Sequence, residues 1–187
     1  MFAADTEAAL KAVASLINSL PDASHTRTDE FTTVDDLRRY LDGWDYTGAR
    51  AGDETELEEV RSLREPMRAL LTTCAGELPG AVNTILRDNE AVPQLVEHGQ
   101  WGWHLHATPG TAPVAVRIRV ETAMALVDLI RRGEAERVKV CAATDCDAVL
   151  VDFSKNRSKR FCDVGNCGNR TNVTAYRARK ADQARPS

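Results

Sequence analysis

The chain has 187 residues, of which 43% are apolar and 28% charged, with 24 Lys and Arg against 28 Asp and Glu. That length supports one substantial core and a small satellite module rather than two full-size domains. Its longest apolar run is the five residues Ala123 to Val127, far short of the roughly 20 that a bilayer demands, so a membrane span is excluded. The opening Met1-Phe-Ala-Ala-Asp5-Thr-Glu7 lacks a basic region and turns acidic at once, unlike a secretory signal, and places the expected compartment in the cytoplasm.

In chain order, Ala9, Val13, Leu16, Ile17 and Leu20 share one helical face that Pro21 ends, predicting a first helix over 7–20. Thr33-Val-Asp-Asp36 resembles a capping box and predicts a second helix through Leu37, Tyr40 and Leu41 toward Trp44. A third helix is expected from Glu54, with Leu57, Val60, Leu63, Met67, Leu70 and Cys74 inward and a kink at Pro66. On that stripe Cys74 reads as a buried, inert thiol. Pro79 to Asn89 predicts a short fourth helix, and the period then changes. Trp101, Trp103, Leu105 and Ala107 alternate with Gly102, His104 and His106, marking a strand that pairs with 92–97 around His98-Gly-Gln. With no acidic or cysteine partner nearby in sequence, His104 and His106 read as half-exposed strand side chains rather than metal ligands. Pro113 leads into a last helix of this part, with Val116, Val120, Ala123, Val127 and Ile130 inward, closed by Arg131-Arg132-Gly133.

Charge divides unevenly along the chain. Residues 1–136 carry 13 basic and 23 acidic side chains, and residues 137–187 carry 11 and 5, leaving an acidic body and a basic end. The basic end also holds Cys141, Cys146, Cys162 and Cys167, spaced C-x4-C-x15-C-x4-C. Two close thiolate pairs with a hairpin-length interval suit tetrahedral zinc, and with all four positions filled by protein the ion would be structural. A disulfide reading is disfavoured in a cytoplasmic compartment. Ala148 to Val151 should form a strand, Asp152 to Lys159 a turn, and Arg160-Phe161 the start of the return. Gly168 lets the backbone approach the metal closely at the first turn of a final helix. The architecture expected is mainly α with a small β-hairpin, followed by a treble-clef-like four-cysteine zinc finger. The parts are 1–136, mainly helical, and 137–187, the metal module. That module should unfold without its ion while the helices before it stay folded.

The segments Asp-Phe-Ser-Lys-Asn-Arg-Ser-Lys-Arg-Phe-Cys at 152–162 and Cys-Gly-Asn-Arg at 167–170, with the leading cysteine pair, resemble the CGNR zinc-finger family of bacterial regulators. Lys155 and Phe161 stand where that family usually has Arg and Trp, which preserves charge and aromaticity. The layout of 1–133 is similar to the ABATE domain that accompanies this finger and is predicted to belong to stress-induced transcriptional regulators. Asn18, the Leu37 to Trp44 helix and Val82-Asn83 fit its pattern. The resemblance implies DNA binding and transcription regulation.

The residues themselves point the same way. Lys155, Arg157, Lys159 and Arg160 crowd the expected turn, and Arg170, Thr174 and Arg177 fall on one face of the last helix, with Val173 and Tyr176 expected to pack inward. These cations suit phosphate contacts, with an Arg able to reach base edges. The competing readings are a charged module docked on the acidic body and a zinc-stapled protein-interaction module without direct DNA binding, and Arg170 could instead brace the metal knuckle. The acidic body is a candidate surface for a protein partner. No glycine-rich phosphate loop, H-E-x-x-H or G-x-S-x-G occurs, so no enzymatic activity is expected.

Overall fold

The computed structural model describes residues 2–23, 26–98 and 102–183. Helix α1 (Ala4–Ile17) follows its apolar stripe, burying Leu10, Val13, Leu16 and Ile17. Helix α2 (Val34–Gly43) opens on the expected capping box: the Thr33 hydroxyl accepts from the Asp36 amide, and the Asp36 carboxylate accepts from the Thr33 amide. The single helix expected after Glu54 is instead two, α3 (Glu54–Ser62) and α4 (Arg64–Thr72). Pro66 then lies in the first turn of α4, where its missing N–H would have had no intrahelical partner, so a break at Leu63 replaces a kink. Because α4 ends at Thr72, Cys74 leaves the stripe and is exposed rather than buried.

Helix α5 (Leu78–Asp88) leads to the antiparallel strands β1 (Gln94–Glu97) and β2 (Trp103–His106), with Leu95 opposite Leu105 and Val96 opposite His104. Trp101 and the Gly99-Gln100 turn lie outside the described residues. Helix α6 (Val114–Arg131) is the longest among the described residues and packs between α1 and α5 at the centre of the body. It ends in a Schellman arrangement: the Gly133 amide donates to Ile130, the Glu134 amide donates to Leu129, and Gly133 adopts φ +65°. Among the described residues no helix is long and apolar enough to cross a membrane.

Past a 3-10 turn, β3 (Val138–Val140) pairs with β4 (Val149–Val151). The partner of the strand at 149–151 therefore lies before the first cysteine, not at the Arg160-Phe161 return. The C-x4-C knuckle is the loop of this hairpin, and the return contributes one bond, Ala142 N–H to the Arg160 carbonyl. Strand β4 is buried on both faces. Val149 and Val151 join the core of the helical body, while Leu150 packs with the cysteines. Asn18, at the end of α1, completes the seam like an added strand residue: its amide donates to the Val149 carbonyl and its oxygen accepts from the Val149 amide, both at 2.8 Å. Helix α7 (Cys167–Gln183) closes the described chain.

Buried Arg64 grips Asp29 through two bonds of 2.7 and 2.8 Å and also donates to Ser19. This fork holds the Asp29 carboxyl down to about 2. A depressed carboxylate stabilises the fold above the ordinary Asp range, and that contribution is lost as pH falls through the folded value. Melting at a series of pH values should therefore show Asp29→Asn less stable than wild type at neutral pH by roughly 2 kcal/mol, with the gap narrowing between about pH 4 and 2. A gap that stays constant across that window would show that Asp29 is not the group being titrated.

Candidate metal centre and basic surface

The β3–β4 loop supplies Cys141 and Cys146, the approach to α7 supplies Cys162, and the first residue of α7 is Cys167. Their four sulfurs lie within 4.8 Å of one another. The Cys146–Cys162 and Cys162–Cys167 separations are both 3.7 Å. Thiolates about 2.3 Å from a tetrahedral zinc stand about 3.8 Å apart, whereas a disulfide requires about 2.05 Å. The cluster fits one structural zinc ion, with no protein-free position for water or substrate.

Around the sulfurs, the Cys162 amide donates to Cys141 Sγ at 3.4 Å, and Arg170 Nη2 donates to Cys167 Sγ at 3.4 Å. The same guanidinium grips Asp145 at 2.7 and 3.0 Å, and Arg27 donates to the Asp145 carbonyl. Arg170 thus ties the first turn of α7 to the first knuckle. Burial pushes the Cys146 and Cys162 thiols up. It opposes ionisation of Cys167 as well, but the Arg170 hydrogen bond and the neighbouring sulfurs outweigh it and hold that thiol below its ordinary value. At Gly168 the backbone runs close to the Phe161 ring, which a Cβ there would meet at 3.3 Å.

The 152–159 turn has an organiser that its sequence does not advertise. Asp152 is fully buried and accepts from Lys139 Nζ at 2.7 Å, from the Ser154 amide and hydroxyl, and from the Lys159 amide. Burial opposes its charge, but these donors hold its carboxyl well below the usual range. Lys139 also donates to the Arg157 and Lys159 carbonyls. It belongs to the interior of the turn rather than to the basic surface.

Of the expected phosphate-binding residues, Lys155, Arg160 and Arg177 are exposed, and none forms an ion pair among the described residues. Arg160 lies over the Phe161 ring at 5.8 Å. Arg157 pairs with Glu134 and Glu136 at the join to the body, and Lys159 pairs with Asp163 at 2.5 Å. Beyond Gly168, every residue of α7 from Asn169 to Lys180 is exposed, so Arg177, Arg179 and Lys180 stand clear. Val173 and Tyr176 do not pack inward as expected, Tyr176 being 57% exposed. Among the described residues, the helix is held at its first turn alone, through Cys167, Gly168 and Arg170.

A second cluster corrects the reading of the strand histidines. The β2 alternation turns His104 and His106 toward the body, leaving His104 8% exposed, while Trp103 is 68% exposed on the outer face. The Nε2 atoms of His98, His104 and His106 lie 3.0 to 3.2 Å apart. An acidic neighbour is present after all, since Glu121 of α6 has Oε1 3.7 Å from His106 Nδ1. The four residues line a cavity of about 300 Å³ together with Thr6, Tyr46 and Met124. Burial pushes the Glu121 carboxyl up to about 7, against the pull of Arg117. Burial and then the other two rings lower the basicity of His106. His98 and Glu121 were both missed from the sequence. The 94–97 and 103–106 register places residue 98 on the same hairpin face as 104 and 106, a signal available once the turn is fixed, whereas Glu121 comes from a separate helix.

Two family models match the chain. The CGNR zinc finger matches residues 137–180, and the ABATE domain, described as a "putative stress-induced transcription regulator", matches residues 10–133. No curated protein matches it.

Proposed function

The chain belongs to the ABATE family and carries a CGNR zinc finger, and from that footing we propose that it is a cytoplasmic, DNA-binding transcription regulator of stress responses. In this reading it turns over no substrate. Zinc holds the module in shape, the basic end of α7 meets phosphates, and the body receives the signal. The observation that carries the reading is α7 itself: a helix exposed along 169–180, bearing Arg177, Arg179 and Lys180, with Lys155 and Arg160 exposed on the turn of the same module. Exposed cations of this kind bind a polyanion through counterion release. Arg157, Lys159 and Arg170, already paired, are assigned to holding the module together.

Binding of the full chain to duplex DNA should weaken with salt, with log K falling against log salt at a slope of roughly −3.6 if four of these cations reach phosphates. Arg177→Ala or Lys155→Ala should flatten that slope by about one and weaken all sequences alike, whereas an Arg that reads a base should relax specificity at one position by about 1–3 kcal/mol. A second reading, a protein-interaction module, is favoured by the exposure of Val173 and Tyr176 on the same helix. It takes precedence if the zinc-loaded full chain retards no duplex at about 50 mM salt, where non-specific binding is strong.

A further inference from the structure

We propose that the helical body holds a second metal site, separate from the four cysteines, in which His98, His104 and His106 bind one divalent transition-metal ion through Nε2. The proposal rests on the histidine cluster alone and stands or falls independently of DNA binding. Three of the chain's four histidines converge here.

Their convergence is not accounted for by hydrogen bonding among the rings. Each Nε2 is either a donor or an acceptor. Among three atoms mutually 3.0 to 3.2 Å apart, at least two must therefore share a role and repel. His104 settles its own role: Nδ1 lies 2.8 Å from the Gly102 carbonyl, so it carries the proton, and Nε2 of the neutral ring presents a lone pair. A cation that accepts three lone pairs removes the conflict.

The triangle also has the size an ion requires. Its edges give a circumradius of about 1.8 Å, shorter than a metal–imidazole bond of about 2.0–2.1 Å. An ion equidistant from the three nitrogens would therefore stand about 1 Å out of their plane. That is a facial three-histidine arrangement, which leaves coordination positions on the other side. Because all three rings line the cavity, a small ligand held there can supply a further donor atom.

The surroundings match those of histidine ligands, which donate their second nitrogen to a carbonyl or carboxylate. His104 has the Gly102 carbonyl, and His106 Nδ1 faces Glu121, whose carboxylate would orient the ring and offset the charge of the ion. His98 Nδ1 has no partner among the described residues. Imidazole donors in a facial set suit zinc, nickel, cobalt or iron(II) rather than calcium or magnesium.

The test uses the full chain with its cysteine site already filled by zinc, titrated with cobalt(II) or nickel(II) and followed by calorimetry and by elemental analysis after desalting. One further equivalent is expected, without loss of zinc and without thiolate-to-metal charge-transfer absorption. Histidine ring resonances of His98, His104 and His106 should shift together on addition. His104→Gln with His106→Gln should abolish the extra equivalent and leave the first in place, and Glu121→Gln should weaken it by about 10- to 100-fold. Wild-type protein that takes up no metal beyond the cysteine-bound equivalent would overturn the proposal whatever the variants do. So would retention of the second equivalent by the double variant.

Discussion

Cys162→Ser is expected to cost the protein one equivalent of zinc and the ordered structure of the whole C-terminal module. Metal binding in small zinc units contributes apparent energies of roughly 10–16 kcal/mol, comparable to or greater than the 5–15 kcal/mol that holds a typical domain together. Cys162 is buried at the centre of the cluster, 3.7 Å from the sulfurs of both Cys146 and Cys167, and a hydroxyl is a poor substitute for a soft thiolate. The damage should not stop at the module. Val149 and Val151 lie in the core of the body, and Asn18 is buried on the backbone of Val149. Loss of β4 therefore uncovers the apolar face of α1 and removes both hydrogen bonds of the Asn18 amide. Hydrogen exchange should show protection lost at 138–151 and reduced in α1, with a lower melting temperature for the remaining helices. Unchanged zinc content would refute the ligand assignment. Helices that melt as in wild type would restore the autonomous module expected from the sequence.

Arg117→Met should strongly destabilise the helical body. The Arg117 side chain is buried in α6 and donates to three carbonyls, Ala112 at 3.0 Å, Thr47 and Ala49, so it clamps the loop after α2 to the loop before α6. Gly48 passes under this clamp at φ +90°, where a Cβ would meet the Gly110 carbonyl at 2.5 Å and Arg117 Nη1 at 2.9 Å. Methionine fills most of the volume but donates nothing. The three bonds are part-buried, with Thr47 and Ala49 on an exposed loop, so at about 1 kcal/mol for each bond lost urea unfolding should show a loss of roughly 3 kcal/mol. Arg117→Lys should recover only part of it, since an ammonium cannot reproduce the planar fork. A loss below about 1 kcal/mol would mean that water replaces the guanidinium in the variant.

Much of this protein is written locally in its sequence. The stripe of α1, the Thr33–Asp36 capping box, the Gly133 stop and the period change into the β1–β2 hairpin are each specified by neighbouring residues, because helix faces, caps and strand alternation have short periods. The four zinc ligands were legible for a related reason: thiolate pairs at fixed spacing leave few other arrangements. What the tertiary structure decided was which face of each element meets which partner. The alternation at 103–106 is the same whether the tryptophan or the histidines point inward, and only the closing of the body around the cavity turned His104 in and brought Glu121 of α6 beside His106. Val173 and Tyr176 have the spacing of an inward face, yet both are exposed. Asn18 could be read from sequence as a member of a pattern but not as the seam between body and module. Its two hydrogen bonds join residues 131 positions apart in the chain, and a contact of that separation is fixed by the closing of the whole fold rather than by any local preference.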